Sequence, residues 1–120
     1  MVAYSFKARF EGKLRSGDKV QTIRALGRRR HARPGEMVQV YIGMRTKACR
    51  LLFQSPCVEV LPIAIAPSES VTLGDRVLSP GEVEALAGAD GFEGVDEFMA
   101  FFRDRLPFEG VLIKWQPVPF

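Results

Sequence analysis

Long apolar runs are what this chain most plainly lacks. The longest apolar region, Val58 to Ala66, is broken by Glu59 and Pro62, far short of the roughly 20 residues that a membrane helix needs. Cysteine and histidine are scarce as well. Two cysteines, Cys49 and Cys57, and one histidine, His31, exclude a disulfide scaffold and a Cys/His zinc site, and no metal or other cofactor is expected. The opening residues, Met-Val-Ala-Tyr-Ser-Phe-Lys, contain no basic stretch followed by an apolar one, so no signal peptide is expected. A reducing, cytoplasmic setting is the corresponding expectation. There is no internal repeat, no low-complexity segment and no linker. With 120 residues, 47% apolar and 26% charged, the composition fits one globular domain spanning the chain.

Charge is present but unevenly divided. Residues 1–54 hold 13 Lys/Arg against 3 Asp/Glu, and residues 55–120 hold 4 against 11, so a net +10 faces a net −7. The densest stretch is Arg28-Arg29-Arg30-His31-Ala32-Arg33, and a second cluster is Arg45, Lys47 and Arg50. Such a basic half suits a polyanion partner, because phosphate contacts from Lys and Arg dominate nucleic-acid affinity. The plainer reading is a solvated surface whose two halves attract each other in the folded chain.

Local patterns predict mostly strands. Val2 to Phe6 reads as a strand. Phe6, Phe10 and Leu14 recur every four residues, which predicts one face of a short helix ending at Gly17; the alternative is a strand with Phe6, Ala8 and Phe10 on one face. Val20 to Ala25 is a short β-like run, and Val38 to Ile42 alternates after a Pro34-Gly35 turn. Cys49 to Phe53 and Val58 to Ile65 read as two separate strands, with Pro62 placing the second at an edge or bulge. Gly74-Asp75 predicts a hairpin between Val71–Leu73 and Arg76–Leu78. Ser79, Pro80 and Glu82 form a capping-box signature for a helix running to about Ala87 and stopping at Gly88. Val95 to Leu106 reads as a helix carrying Phe98, Phe101 and Phe102 on one core face. Val111 to Trp115 is a closing strand. The fold class expected is α+β: a small mixed β-barrel with a short early helix and two late helices packed at its edges.

One polar stretch is chemically suggestive. In Gly17-Asp18-Lys19-Val20-Gln21-Thr22-Ile23-Arg24, a strand over 20–24 puts Thr22 and Arg24 on one face, with Lys19 at the strand mouth. An ammonium, a hydroxyl and a guanidinium would then converge. That set binds a phosphate or a base edge. It also suits acyl chemistry, provided Lys19 loses its proton and activates the Thr22 hydroxyl. A nearby Arg24 favours that loss by repulsion. The alternative is a polar strand with exposed ends.

These residues resemble the signature of the ASCH domain, a branch of the PUA-like superfamily. Gly17-x-Lys19-x-x-Thr22-x-Arg24 is similar to that family's motif, and Arg33-Pro34-Gly35-Glu36-x-Val38-x-Val40 to its entry into the next strand. Tyr41-Ile-Gly43-Met-Arg45-Thr-Lys47-x-Cys49-Arg50 is similar to a variant found in phage and prophage members. Asp90-Gly91-Phe92, followed by Asp96-Glu97-Phe98 and Phe101-Phe102, resembles the family's acidic-Gly-Phe segment before a late helix. The likeness spans about residues 4–115.

The resemblance implies a PUA-like barrel whose cleft binds RNA, a nucleotide or a nucleobase. Arg24 would bind the ligand in the cleft, while the charge pattern itself puts Arg28, Arg29, Arg30, Arg33, Arg45 and Lys47 on a flanking basic face that binds the polyanion, and Tyr41 is a candidate for base stacking. Some bacterial relatives are amidohydrolases acting on N4-acylcytidine-type nucleosides through a Lys, a Thr and a Glu. Lys19 and Thr22 match the first two, and the third position falls on Asp90. Asp is one methylene shorter than Glu, and a misplacement of about 1 Å can cost ~100-fold. Binding therefore carries over better than catalysis by Lys19, Thr22 and Asp90. A protein-interaction module with a vestigial pocket is the third reading. Elsewhere, His31 reads as a surface residue, Cys49 and Cys57 as buried small groups, and Trp115 as half-buried at a strand end.

Overall fold

The computed structural model describes residues 1–118. It is an α+β fold in which seven strands form one curled, mixed sheet with three short helices at its edges. In chain order the elements are β1 (Val2–Phe6), a 3-10 turn (Ala8–Phe10), α1 (Glu11–Ser16), β2 (Gln21–Ala25), β3 (Met37–Ile42) and β4 (Arg50–Ile65). There follow β5 (Val71–Leu73), β6 (Arg76–Val77), α2 (Pro80–Ala89), α3 (Val95–Phe102) and β7 (Phe108–Trp115). The sheet runs β1-β3-β4-β5-β6, and β7 joins β4 to β2. Among the described residues β1 and β3 pair in parallel and the other pairs are antiparallel. Among the described residues, no helix is long and apolar enough to cross a membrane.

The two strands expected at 49–53 and 58–65 are one strand. β4 runs 16 residues, pairing with β3 through its first half and with β7 and β5 through its second. A register shift between Cys57 and Glu59 bends it, so the sheet curls through a bulge instead of a break. Pro62 lies opposite Val111 inside the sheet, not at a free edge. Its carbonyl accepts from the Gly74 N–H at 2.8 Å. Its nitrogen points to the same side, where the β4–β5 ladder has ended at Ile63 and Leu73, so the missing N–H interrupts no ladder bond.

The helix expected from Phe6, Phe10 and Leu14 is also divided. Phe6 closes β1, Phe10 closes the 3-10 turn and Leu14 lies in α1. Gly17 does end that helix, at φ 85°. In α2 the capping box forms as expected: the Ser79 hydroxyl accepts from the Glu82 N–H, and the Glu82 carboxylate accepts from the Ser79 N–H. The far end differs. Gly88 stays inside the helix, and the chain turns out at Gly91, φ 94°. The Phe92 N–H bonds to Ala87 O and the Gly91 N–H to Gly88 O, each at 3.0 Å, a Schellman termination. That later stop leaves Asp90 as the C-cap.

Two apolar clusters fill the fold. One gathers Val2, Tyr4, Phe6, Val38, Val40 and Trp115 beneath β1 and β3. The other packs α2 and α3 on β4, β5 and β7 through Ile65, Leu86, Phe98, Phe102, Phe108 and Leu112. Phe10 packs against both. Trp115 is 1% exposed, not half-buried, because the rings of Phe6 and Phe53 close over it at 5.9 and 6.3 Å. On α3, Phe98 and Phe102 are buried but Phe101 is 43% exposed. At about 100° per residue, Met99 lies on one flank of Phe98 and Phe101 on the other; the core lies on the Met99 side.

Candidate functional site

β2 pairs only with β7, so its other edge faces no strand among the described residues. A cavity of about 230 Å³ opens along that edge. Lys19, Thr22, Ile23 and Arg24 supply one wall, the end of β1 with Phe6 and Phe10 a second, and Asp90, Phe92 and Phe101 a third. An edge strand offers side chains from both faces to such a space, so alternating residues such as Ile23 and Arg24 both reach it.

Lys19 is the deepest cation, with only 2% of its surface exposed. Its ammonium donates to the Asp90 backbone carbonyl at 2.6 Å and lies 3.4 Å from the Asp90 carboxylate. The rings of Phe6 and Phe10 sit 5.4 and 5.2 Å from it, within cation–π range. Burial pushes the Lys19 ammonium down to about 8, against the attraction of Asp90 and with added repulsion from Arg24. Burial likewise raises the Asp90 carboxyl above its ordinary value, opposed by Lys19 and by hydrogen bonding from Gln21. Both shifts disfavour charge, as desolvation requires.

Arg24 organises the other half. Its Nε donates to Thr22 Oγ1 at 2.9 Å and its Nη2 to Ser5 O at 2.8 Å, while the guanidinium lies over Phe6 and Tyr4 at 4.9 and 5.2 Å. The Thr22 oxygen is thus an acceptor already, and its O–H proton is free to be donated elsewhere. Gly91 makes the assembly possible. A Cβ there would sit 2.9 Å from the Phe10 ring and 3.0 Å from Lys19 Cδ, and its positive φ is costly for any other residue. Lys13 donates to the Gly91 carbonyl at 3.1 Å, tying α1 to the turn.

Lys19, Thr22, Arg24 and Asp90 therefore meet in one concavity, although Asp90 lies 71 residues beyond Lys19. The remaining residues singled out in the sequence lie elsewhere. Arg28, Arg29, Arg30 and Arg33 occupy the β2–β3 connection and are exposed. Arg30 forms a two-pronged pair with Glu36 at 2.8 and 2.6 Å, and Arg29 donates to Ala3 O and lies over the Tyr4 ring. Arg45 and Lys47 sit on the β3–β4 loop, and Arg50 pairs with Glu11. Tyr41 lies on β3 between buried Val40 and Ile42, so it faces away from the core, and it does not line the cavity.

His31 is half-buried, not a free surface residue. Its ring stacks on Tyr4, Nε2 donates to Ala25 O at 2.9 Å, and Nδ1 accepts from the Tyr4 hydroxyl at 3.0 Å. A carbonyl only accepts, which fixes that tautomer. Cys49 is exposed and Cys57 buried; the first lies on the turn-rich loop before β4 and has no sheet face to hide on.

Sequence reasoning missed the aromatic walls and two cations at the mouth, Lys7 and Arg105. Phe6 and Phe10 were legible only as one face of a short helix or strand. Phe101 and Arg105 are four residues apart, the one signal that could have paired them. Comparisons with models of known families, with curated proteins and with solved structures find no match.

Proposed function

We propose that this chain is an ASCH-type binding module whose cleft takes a nucleobase, presented by RNA or a nucleotide, in a cytoplasmic setting. One observation carries the reading. The cavity joins a compact polar set, Lys19, Thr22, Arg24 and Asp90, to walls made of Phe6, Phe10, Phe92 and Phe101. A nucleobase has flat π-faces and a rim of donors and acceptors. Phenylalanine walls suit the faces. Lys19 and Arg24 donate, Thr22 can donate its hydroxyl proton, and Asp90 accepts or donates with its protonation state. The volume suits one base and is below that of drug-sized ligand sites, which run from about 300 Å³. The exposed arginines of the β2–β3 connection would add contacts to a longer strand.

Calorimetric titration with the four ribonucleosides and short oligoribonucleotides tests this. Binding is expected, lost at least tenfold in Lys19→Ala and weakened in Thr22→Val, a loss of about 1.4 kcal/mol or more for the lysine. Absence of binding by every probe removes the reading.

A second reading has its own support. Lys19, lowered to about 8, shares the cavity with the Thr22 hydroxyl, as an N4-acylcytidine-type amidohydrolase using Lys19, Thr22 and Asp90 would require. Against it, Arg24 already donates to the Thr22 oxygen, and Lys19 is directed to Asp90. Chromatographic assay of N4-acetylcytidine decides. Turnover abolished by both Thr22→Ala and Lys19→Ala would favour the enzyme, and no turnover the binding module.

A further inference from the structure

Nine of the 17 Lys and Arg side chains pair with a carboxylate among the described residues. Arg103 is held by Glu69 at 3.0 Å, Lys13 by Glu93 at 3.5 Å and Arg9 by Glu97. The others are Arg28, Arg29, Arg33, Arg45 and Lys47 on exposed loops, and Lys7, Arg24 and Arg105, which gather around the cavity. Its lining contains Lys7, Lys19, Arg24 and Arg105 against the carboxylate of Asp90, whose Oδ1 lies 3.4 Å from both the Lys19 ammonium and the Gln21 amide inside the pocket. Lys7 and Arg105 are both exposed, and neither has a carboxylate partner among the described residues.

Arg105 is nevertheless held in position. Its guanidinium lies 4.5 Å from the centre of the Phe101 ring, and Nη2 donates to the Phe101 carbonyl at 3.3 Å. An arginine fixed by an aromatic ring and one carbonyl keeps most of its five N–H donors available. It does so at the end of the half of the chain that carries net −7, where acids for an ordinary surface pair are abundant. Lys7 comes from the opposite end of the chain, directly after β1, and borders the same space.

From this juxtaposition we infer that the mouth is a phosphate site. Lys7 and Arg105 receive the phosphoryl group attached to the nucleoside whose base enters the cleft, so the ligand is a nucleotide rather than a neutral nucleoside. The inference rests on the base-binding reading and adds a chemical class to it. The arginine fork matches two phosphate oxygens, and the lysine supplies a compact second charge. The same chemistry is offered by a free nucleotide and by a nucleotide within RNA.

The test titrates the full chain calorimetrically with ribonucleosides, their 5′- and 3′-monophosphates, ribose 5-phosphate, and pentaribonucleotides. A monophosphate is expected to bind about tenfold or more tightly than its nucleoside, as charge-assisted bonds warrant. Lys7→Ala and Arg105→Gln should each erode that ratio several-fold through the monophosphate affinity, and together bring it near one. Arg105→Lys should recover part of it. Nucleoside and monophosphate binding equally well overturns the phosphate site and leaves base binding standing. Ribose 5-phosphate binding as tightly as the monophosphates sinks the base reading and leaves the phosphate site standing. Variants that weaken nucleoside and monophosphate alike assign Lys7 and Arg105 a merely structural role and overturn the inference. No binding by any probe overturns both. Where the phosphate site holds, a pentanucleotide tighter than its monomer identifies RNA as the source, and the reverse order a free nucleotide.

Discussion

The connection between β2 and β3 packs four arginines into six residues, whereas the cavity draws its cations singly from Lys7, Lys19, Arg24 and Arg105. The dense run dominates the sequence. In the fold, however, Arg30 is neutralised by Glu36 and Arg29 is turned to the backbone of β1. Glu36 also takes the N-terminal ammonium and the Arg33 N–H, and with Arg30 these hold its carboxyl well below the usual carboxylate range. The sparse set lacks such partners except at Lys19 and lies in a concavity with aromatic walls, where charge is less screened than on an open loop. Charge density along the chain and charge gathered in a concavity are therefore different quantities, and the second selects the candidate site.

The largest expected effect concerns what holds the cavity's helical wall. Phe102 is fully buried against Phe98 and Phe108, so Phe102→Ala should cost about 3–5 kcal/mol in chemical denaturation. Phe101, one residue earlier, is half exposed at the cavity lip. Phe101→Ala should cost about 1 kcal/mol or less and act on ligand affinity instead. Equal losses from the two variants would mean that the lip belongs to the core.

Next comes the buried ammonium. Lys19 falls from 10.5 to about 8 in the folded chain, so between those values the unfolded chain binds more protons. Stability attributable to Lys19 must then rise with pH across that window and be lowest below pH 8. The full difference is about 3 kcal/mol. Denaturation of wild type and Lys19→Met at intervals from pH 7 to 10 should show wild type gaining on the variant. Parallel curves would place Lys19 in solvent, and the contrast between cavity and loop would collapse.

A smaller effect tests how Asp90 is delivered. It caps α2, whose start is fixed by Ser79 and Glu82. Ser79→Ala should cost about 1 kcal/mol by thermal or chemical melting, with ligand affinity retained, since the Schellman turn at the other end still sets Asp90.

That helix also shows what the sequence could and could not reveal. Its start was legible because a capping box is a local exchange of hydrogen bonds between Ser79 and Glu82, with Pro80 at the first helical position. Its end was not, because Gly88 and Gly91 look alike in sequence and only the packing of Phe92 selects the second. The Gly74-Asp75 hairpin and the Gly17 stop were local and legible for the same reason. The continuity of β4 was hidden because Gln54, Ser55 and Pro56 interrupt the apolar pattern between the two expected strands, and only their pairing with β3 keeps them extended. In the site, Lys19, Thr22 and Arg24 were readable from strand alternation and motif resemblance, and the position of Asp90 from resemblance alone. Lys7, Arg105 and the phenylalanine walls were not, since they converge from both ends of the chain.

The smallest effect addresses the arginine run directly. If binding to RNA used the run as the sequence displays it, replacing Arg28, Arg29 and Arg30 together by Ala would flatten the log–log salt dependence by about three phosphate contacts. The fold leads to a different number. Arg30 must leave Glu36, and Arg29 must leave Ala3 O and the Tyr4 ring, before either meets a phosphate in full. Arg28 has no such tether among the described residues. The triple variant should therefore flatten the slope by about one contact, with each contact worth roughly 0.7 in log–log slope on single strands. Glu36→Gln releases Arg30 and should steepen the wild-type slope. A loss of three contacts in the triple variant, with no change in Glu36→Gln, would show that the loop's own ion pairs do not restrain it, and charge density along the sequence would then have been the better guide to the interface.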